Sequence, residues 1–554
     1  MEMLLLTIAV ALTTSVLVTP VVRRVSHSLG ILDSPDGLRK LHLRPIPLGG
    51  GVAVFLAVGI SIVSAVHADR GRGGGLFPDL TFPLWLLCST LILCTVGLID
   101  DRWQLRGRQK LAGQILAVGI LMFSGLRIDS VQIFNWNLEF GAFAVPFTML
   151  WLLGAINALN LIDGSDGVAT TVGIVLSLTL MALATLTGHA TDAILAASLL
   201  GALIGFLIYN FPPASVFLGD AGSMLIGLLL GVLAIRSALK GPATVALAAP
   251  SALWAIPLFD VSMAILRRKL TGRSIYDTDR GHLHHCLQQR GYSGRKIVFF
   301  VGFLCACTAS GAIASVYRHS ELMALASAMA VIGTLIATRC FGHSECSLLL
   351  QQSKLLIQSL IRRGSKPHAA SQQLTTHLNG RREWNELWQT LVNYAERSEI
   401  CAVRLNVSLP SIHDEFHATW DRRRDGDENQ NEQWSTAWPL QLHGVTVGRL
   451  EISGRCHCES VSQFLGDLLY GLTYFEGQLL SLLENPPCDQ VSAVKASSGV
   501  QPVLYPGRVP EEPAGARAAS QEWPRDGFKS DTSPQQVMDS RKMTTLTIPA
   551  QSAG

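Results

Sequence analysis

From Met1 to about Phe341 the chain returns repeatedly to apolar stretches of roughly 20 residues, the length that crosses a hydrocarbon core. In lipid such a stretch satisfies its backbone N–H and C=O groups only as a helix, so recurrent spans leave little choice of architecture. We read eleven: 3–20, 48–66, 82–99, 111–126, 142–160, 168–187, 192–209, 222–238, 245–266, 297–316 and 321–339. The expected fold over residues 1–341 is an all-α polytopic membrane protein. MEMLLLTIAVALTTSVLVTP has no basic leader, and Arg23 and Arg24 come after it. That order suits an uncleaved first helix with its N-terminus outside. The eleven cysteines are scattered, several of them (Cys88, Cys94, Cys305, Cys307) within apolar spans. They read as small buried hydrophobes and not as a disulfide framework.

The spans sort the connecting segments onto two sides. One side carries Arg23, Arg24, Arg39, Lys40 and Arg44, then Arg102, Arg106, Arg108 and Lys110, then the basic run from Arg267 to Lys296. The other holds only Arg70, Arg72, Arg127, Arg236, Lys240 and Arg318. An excess of Lys and Arg marks the cytoplasmic side, so the first set is expected there, together with everything after the last span. The net charge of +3 says little about partners, because the basic residues are unevenly spread; no nucleic acid is expected among them.

Six polar clusters fall on that same basic side: LRKLHLRPIPLGG at 38–50, GLIDDRW at 97–103, NALNLIDGSDG at 157–167, NFPPASVFLGDAGS at 210–223, PLFD at 257–260 and DRGHLHH at 279–285. Each alone has a bland explanation, such as a solvated helix end for Asp100-Asp101 or a helix cap for Asp220. Solvated loop charges would populate both faces, whereas these gather on one. Carboxylates crowded at a membrane surface repel unless they are paired or meet a cation. A hard divalent ion resolves this, and Mg²⁺ characteristically takes one or two carboxylates and completes its shell with water and phosphate oxygens. A phosphate-bearing substrate is therefore the natural partner. Arg280, His282, His284 and His285 read as a dense cationic and hydrogen-bonding cluster suited to a diphosphate or a sugar.

These motifs, in this order, resemble the polyprenyl-phosphate N-acetylhexosamine-1-phosphate transferases, relatives of phospho-N-acetylmuramoyl-pentapeptide transferase, over about Asp33 to Gly291. The resemblance implies transfer of a HexNAc 1-phosphate, with GlcNAc the expected sugar, from a UDP-sugar to undecaprenyl phosphate. The products are UMP and the lipid diphosphate sugar that starts a cell-envelope polysaccharide. It implies Mg²⁺ (or Mn²⁺ in its place), with Asp220 and Asn160 at the metal. Asp100 and Asp101 match the paired aspartates that prepare the acceptor phosphate. Asp163, Asp166, Asn210 and Phe217 fall where the family holds nucleotide and diphosphate. Arg280, His282, His284 and His285 match the loop that holds diphosphate and sugar. The implied setting is the bacterial inner membrane with the active site facing the cytoplasm, membrane lipid around it, and a homodimer as a possible assembly.

Nothing in that family requires the rest of the chain. Residues 345–484 read as a cytoplasmic α+β domain, with helices over 345–400, strands at 401–410, 432–441 and 444–453, and a long amphipathic helix at 459–484. LQLHGVTVGRLEISG resembles a hairpin of a GAF-like sensory domain. Cys456-His457-Cys458 lacks the second ligand pair of a zinc site. Residues 485–554, rich in Pro, Ser, Gln and Gly, are expected to be disordered. Because the motifs end before Gly291, the region after the last span is expected to be dispensable for basal transfer. Two alternatives remain at this level: an ion-coupled transporter with intramembrane acids, and a scaffold whose catalytic face has decayed.

Overall fold

The computed structural model describes residues 1–34, 45–77, 79–133, 136–239, 248–270, 281–343, 345–346, 349–350, 353, 372–379, 384–397, 400–409, 414–422, 433–442 and 445–455. Arg280, His443 and Gly444, Cys456-His457-Cys458, the expected helix 459–484 and the tail 485–554 lie outside these residues.

Every expected span meets a helix. They are α1 (Glu2–Ser28), α2 (Gly50–Gly71), α3 (Thr81–Trp103), α4 (Gly107–Met122), α5 (Ala144–Ile162), α6 (Val168–Leu186), α7 (Ala190–Asn210) and α8 (Gly219–Leu239). A broken pair follows, α9 (Ala248–Leu253) and α10 (Ala255–Leu270), then short α11 (Leu283–Gln289), α12 (Gly294–Arg318) and α13 (Glu321–Ala337). Among the described residues, eight helices are long and apolar enough to cross a membrane. The chain is thus a polytopic membrane protein. The other three expected spans are the short helices α4 and α13 and the interrupted α9–α10. The interruption has a local cause: Pro257 has no N–H to give to the carbonyl of Leu253, so the helix breaks around Trp254.

Small residues let the helices close on one another, as packing in lipid favours. The backbones of α7 and α1 meet at Gly201, which lies against Ile8 and Ala11, and α8 meets α5 where Gly227 faces Ala155 and Ile156. Near the N-terminus of α8, Gly51 of α2 lies on Gly222 and Gly97 of α3 lies on Ala221. These contacts make α8 the axis of the bundle. Its far end is fixed by a buried ion pair between Arg236 and Asp192, with the guanidinium 4.0 Å from the centre of the Phe82 ring.

After α13 the described residues form a separate core on a five-stranded antiparallel sheet. Its strands, here β1 (Gln372–Asn379), β2 (Ile400–Leu409), β3 (Asp414–Asp421), β4 (Gln433–Leu442) and β5 (Val445–Arg455), stand in the order β1-β3-β2-β5-β4. Helix α14 (Trp384–Arg397) packs on one face, burying Trp384, Trp388 and Val392 against Val403, Phe416 and Trp420. Two expectations are corrected. Residues 345–400 are not helical throughout, because Gln372–Asn379 pairs with Asp414–Asp421, and that second strand was not anticipated. DEFHATWD alternates Phe416, Ala418 and Trp420 inward, the period of a half-buried strand. The described cysteines are all free thiols.

Candidate active site

The N-terminus of α8 is where the acidic motifs meet. Gly219 adopts φ +73, and a side chain there would run into the Asp101 carboxylate; glycine satisfies both demands. Asp101 Oδ1 accepts the N–H of Asp220 at 2.8 Å, so one member of the aspartate pair caps α8 from a neighbouring helix. The other, Asp100, turns toward α4. Its Oδ1 accepts the N–H of Leu105 at 2.7 Å, and its Oδ2 lies 3.0 Å from Lys110 Nζ. The same ammonium is 2.9 Å from Asp220 Oδ2 and 3.1 Å from Asn160 Oδ1. Asn160 in turn donates to Asp220 Oδ1 and to the Ser223 hydroxyl. Oxygens from three helices thus converge on one cation carried by a fourth.

That convergence is a fit test for a metal. Two carboxylates and an amide oxygen aimed at one point of positive charge are the donor types a hard divalent ion takes. Lys110 supplies the positive charge here. Among the described residues no group of three or more His, Cys, Asp or Glu forms a protein-only cage. The donor set therefore suits an ion that draws further ligands from phosphate and water.

Asp163 follows α5 directly. Burial pushes its carboxyl well above the usual range, and the nearby charges of Asp220, Asp101 and Asp166 push it the same way. Asp166 Oδ2 accepts the N–H of Ala214 at 2.9 Å and so pins the 210–218 loop. Asn210 is buried, with Oδ1 accepting from the Thr170 hydroxyl at 2.7 Å and Nδ2 donating to the Val216 carbonyl at 3.0 Å. Phe217 ties the loop to the start of α2, its N–H donating to Pro47 O and its carbonyl accepting from Gly50. Asp166 and Asn210 thus make internal ties within the same loop.

The histidines form a second group. Asp260 of α10 accepts from the Leu283 N–H at 2.8 Å and stands 2.9 Å from His282 Nδ1. His284 is 2 % exposed, and neither ring nitrogen has a hydrogen-bond partner among the described residues. Its ring lies parallel to His282 at 6.0 Å and 4.1 Å from His285. Burial, then the neighbouring His285 and His282, holds its imidazole well below the ordinary histidine range. This corrects the expected charge: His284 is neutral near pH 7, a hydrogen-bonding group and not a cation. Gly164 joins the two groups, because a side chain there would overlap the His284 ring. The loop that begins with Asp163 thus packs directly on the histidine helix.

Sequence reading did not single out Lys110 or the Gln114–Asn157 amide pair. Lys110 was grouped with Arg102, Arg106 and Arg108 as a topology signal, and a lysine opening a helix beside an acidic helix end was the clue available. Glu345 was also missed. Asp100, Asp101, Asp163 and Asp220 sit at helix ends, an arrangement that lends no support to the transporter alternative.

The family model described as glycosyl transferase family 4 matches residues 83–238. The chain is 31 % identical over 305 residues to a probable undecaprenyl-phosphate N-acetylglucosaminyl 1-phosphate transferase of Bacillus subtilis, covering 54 % of this chain and 82 % of that one. It is 31 % identical over 342 residues to the decaprenyl-phosphate N-acetylglucosaminephosphotransferase of Mycobacterium tuberculosis, covering 57 % and 83 %. Identity to the undecaprenyl-phosphate alpha-N-acetylglucosaminyl 1-phosphate transferase of Escherichia coli K12 is 30 % over 311 residues, covering 54 % and 80 %. With four-fifths of each relative spanned and the acidic cluster lying within the matched region, the chain belongs to glycosyl transferase family 4 as a multi-pass membrane transferase.

Proposed function

We propose that this protein transfers N-acetylglucosamine 1-phosphate from UDP-N-acetylglucosamine to undecaprenyl phosphate at the cytoplasmic face of the bacterial inner membrane. A phosphate oxygen of the lipid attacks the sugar-bearing phosphorus of the donor. The bond from that phosphorus to the bridging oxygen breaks, and UMP leaves with the electron pair. The observation that carries this reading is the convergence of Asp100, Asn160 and Asp220 on Lys110, with Gly164 of the loop after Asp163 packed on the imidazole of His284.

Asp220, Asn160 and Asp100 would hold Mg²⁺ or Mn²⁺, which supplies charge neutralisation for the diphosphate. Lys110 offers a point charge to the attacking lipid phosphate or to the departing UMP. Asp100 is the member of the pair that faces the acceptor, while Asp101 fixes Asp220 through the α8 N-terminus. Asp163, its carboxyl pushed well above the usual range by burial, is the group proposed to exchange a proton with the phosphate. His282 is oriented by Asp260, and His284 offers a neutral donor and acceptor to the diphosphate and sugar, with His285 and Arg280 as further partners of that substrate. Asp166, Asn210 and Phe217 shape the nucleotide side through their loop. The basic segments on the catalytic side support a cytoplasmic orientation. The domain beyond α13, an antiparallel sheet with one packed helix, fits a GAF-like sensory unit followed by the tail from residue 485.

The test is a transfer assay on full-length protein in membranes, with labelled UDP-N-acetylglucosamine, undecaprenyl phosphate and Mg²⁺. The expected result is label in a lipid diphosphate, with UMP released in equal amount. Release of UDP with label in a lipid monophosphate, or no lipid product at all, overturns the reading.

A further inference from the structure

The chain just past α13 does not leave the bundle; it folds back onto the elements that carry the histidines. Phe341 is buried with its ring 5.4 Å from Phe259, edge to face, and Phe259 precedes Asp260, the partner of His282. Arg290, at the end of α11, donates to the Arg339 carbonyl and approaches Cys340 Sγ at 3.1 Å. Glu345 reaches the interior. Its carboxylate pairs with Arg267 of α10, Nε to Oε1 at 2.6 Å, with both side chains at 4 % exposure or less. Arg267 Nη2 then donates to the Gly281 carbonyl at 2.8 Å, and a side chain at 281 would overlap the guanidinium. His282 is the next residue. Glu345, Arg267 and the histidine loop form one continuous buried chain.

We propose that Glu345 is a positioning residue for the transferase. By holding Arg267 against Gly281 it sets the place of His282 and His284, so the link to the C-terminal domain is part of the catalytic machinery. A buried carboxylate–guanidinium pair gives little net stability over an apolar pair, so stability alone does not account for it. What it supplies is direction: the guanidinium fork fixes two partners at once. The role assigned to the histidines rests on the function proposed above.

The test uses full-length protein in lipid nanodiscs and three variants: Glu345→Gln, Glu345→Asp, and the double variant Arg267→Met/Glu345→Met. Glu345→Gln should lower kcat about 10- to 100-fold, the usual cost of a misplaced catalytic group, and leave the KM for undecaprenyl phosphate unchanged. Glu345→Asp should recover part of the loss. The Met pair removes the uncompensated charge and should restore thermal stability, yet leave kcat low and amide exchange across 281–289 raised. Recovery of both kcat and exchange protection in the Met pair would mean a merely structural salt bridge, and overturns the proposal. If the wild type transfers no sugar phosphate, the functional reading fails by itself. Exchange at 281–289 then still decides the latch: unchanged protection in Glu345→Gln overturns it.

Discussion

The aspartate side and the histidine side of the site solve opposite problems. Around Lys110, negative charge from Asp100 and Asp220 is brought together and held by one ammonium and an asparagine amide. At His284 the ring itself carries no charge: a buried imidazole with no hydrogen-bond partner among the described residues is kept neutral among other rings. The first arrangement suits exchange of one cation for another and the approach of phosphate. The second suits recognition of a sugar diphosphate by hydrogen bonds that the described residues do not satisfy. The two sides differ also in support. The aspartates stand on helix ends locked by backbone contacts at Gly97 and Gly222, whereas the histidine loop depends on Asp260, Arg267 and Glu345.

If the comparison is right, substitutions should separate by side. The largest effect is expected at Asp220→Asn, which should lower kcat by about 10²–10³-fold while membrane insertion is unchanged, because the apolar spans are untouched. Near-normal turnover over a range of Mg²⁺ concentrations breaks the assignment. His284→Gln should cost about 10-fold to 100-fold in kcat/KM, expressed mainly in the donor and not in the lipid. An equal loss in both substrates would place the histidines elsewhere in the reaction.

Smaller effects sharpen the contrast through stability. Asp101→Ala removes the acceptor that caps α8 and should lower Tm by about 2–4 °C, the size of a ~1 kcal/mol loss in a large domain. Asp163→Asn should do the reverse. A carboxyl raised in the folded state contributes stability below its unfolded pKa and loses it as pH rises through the folded value, so at pH 7 the charged group is a burden. Its removal should raise Tm by about 2 °C while activity falls. His284 has the opposite sign. An imidazole lowered in the folded state contributes stability above about pH 6.5 and loses it as pH falls toward the folded value. Stability of the ligand-free protein should therefore drop below pH 6.5, and His284→Gln should flatten that slope; an unchanged slope in thermal scans contradicts the burial argument.

The apolar spans, their order and the grouping of acids at helix ends were legible because lipid solvation and span length dictate them residue by residue. Lys110 was not, because it is one of four basic residues from Arg102 to Lys110 and only packing decides which one turns inward. The charge of His284 was hidden for a related reason: the residue type gives a pKa near 6.5, and burial sets the shift. Glu345 carries no motif at all; its partner lies in a distant helix. In the C-terminal region, QQLTTHLN is too polar to announce an edge strand, while the alternation in DEFHATWD was present and marks the better lesson.

The most direct measurement is calorimetric titration of UDP-N-acetylglucosamine, with and without Mg²⁺, into wild type, Asp220→Asn and His284→Gln. The predicted result is that Asp220→Asn loses the Mg²⁺-dependent part of the affinity and keeps the rest. His284→Gln should weaken binding by the same factor in both conditions. Identical responses of the two variants to Mg²⁺ would contradict the division of the site into a cation-holding side and a neutral recognition side.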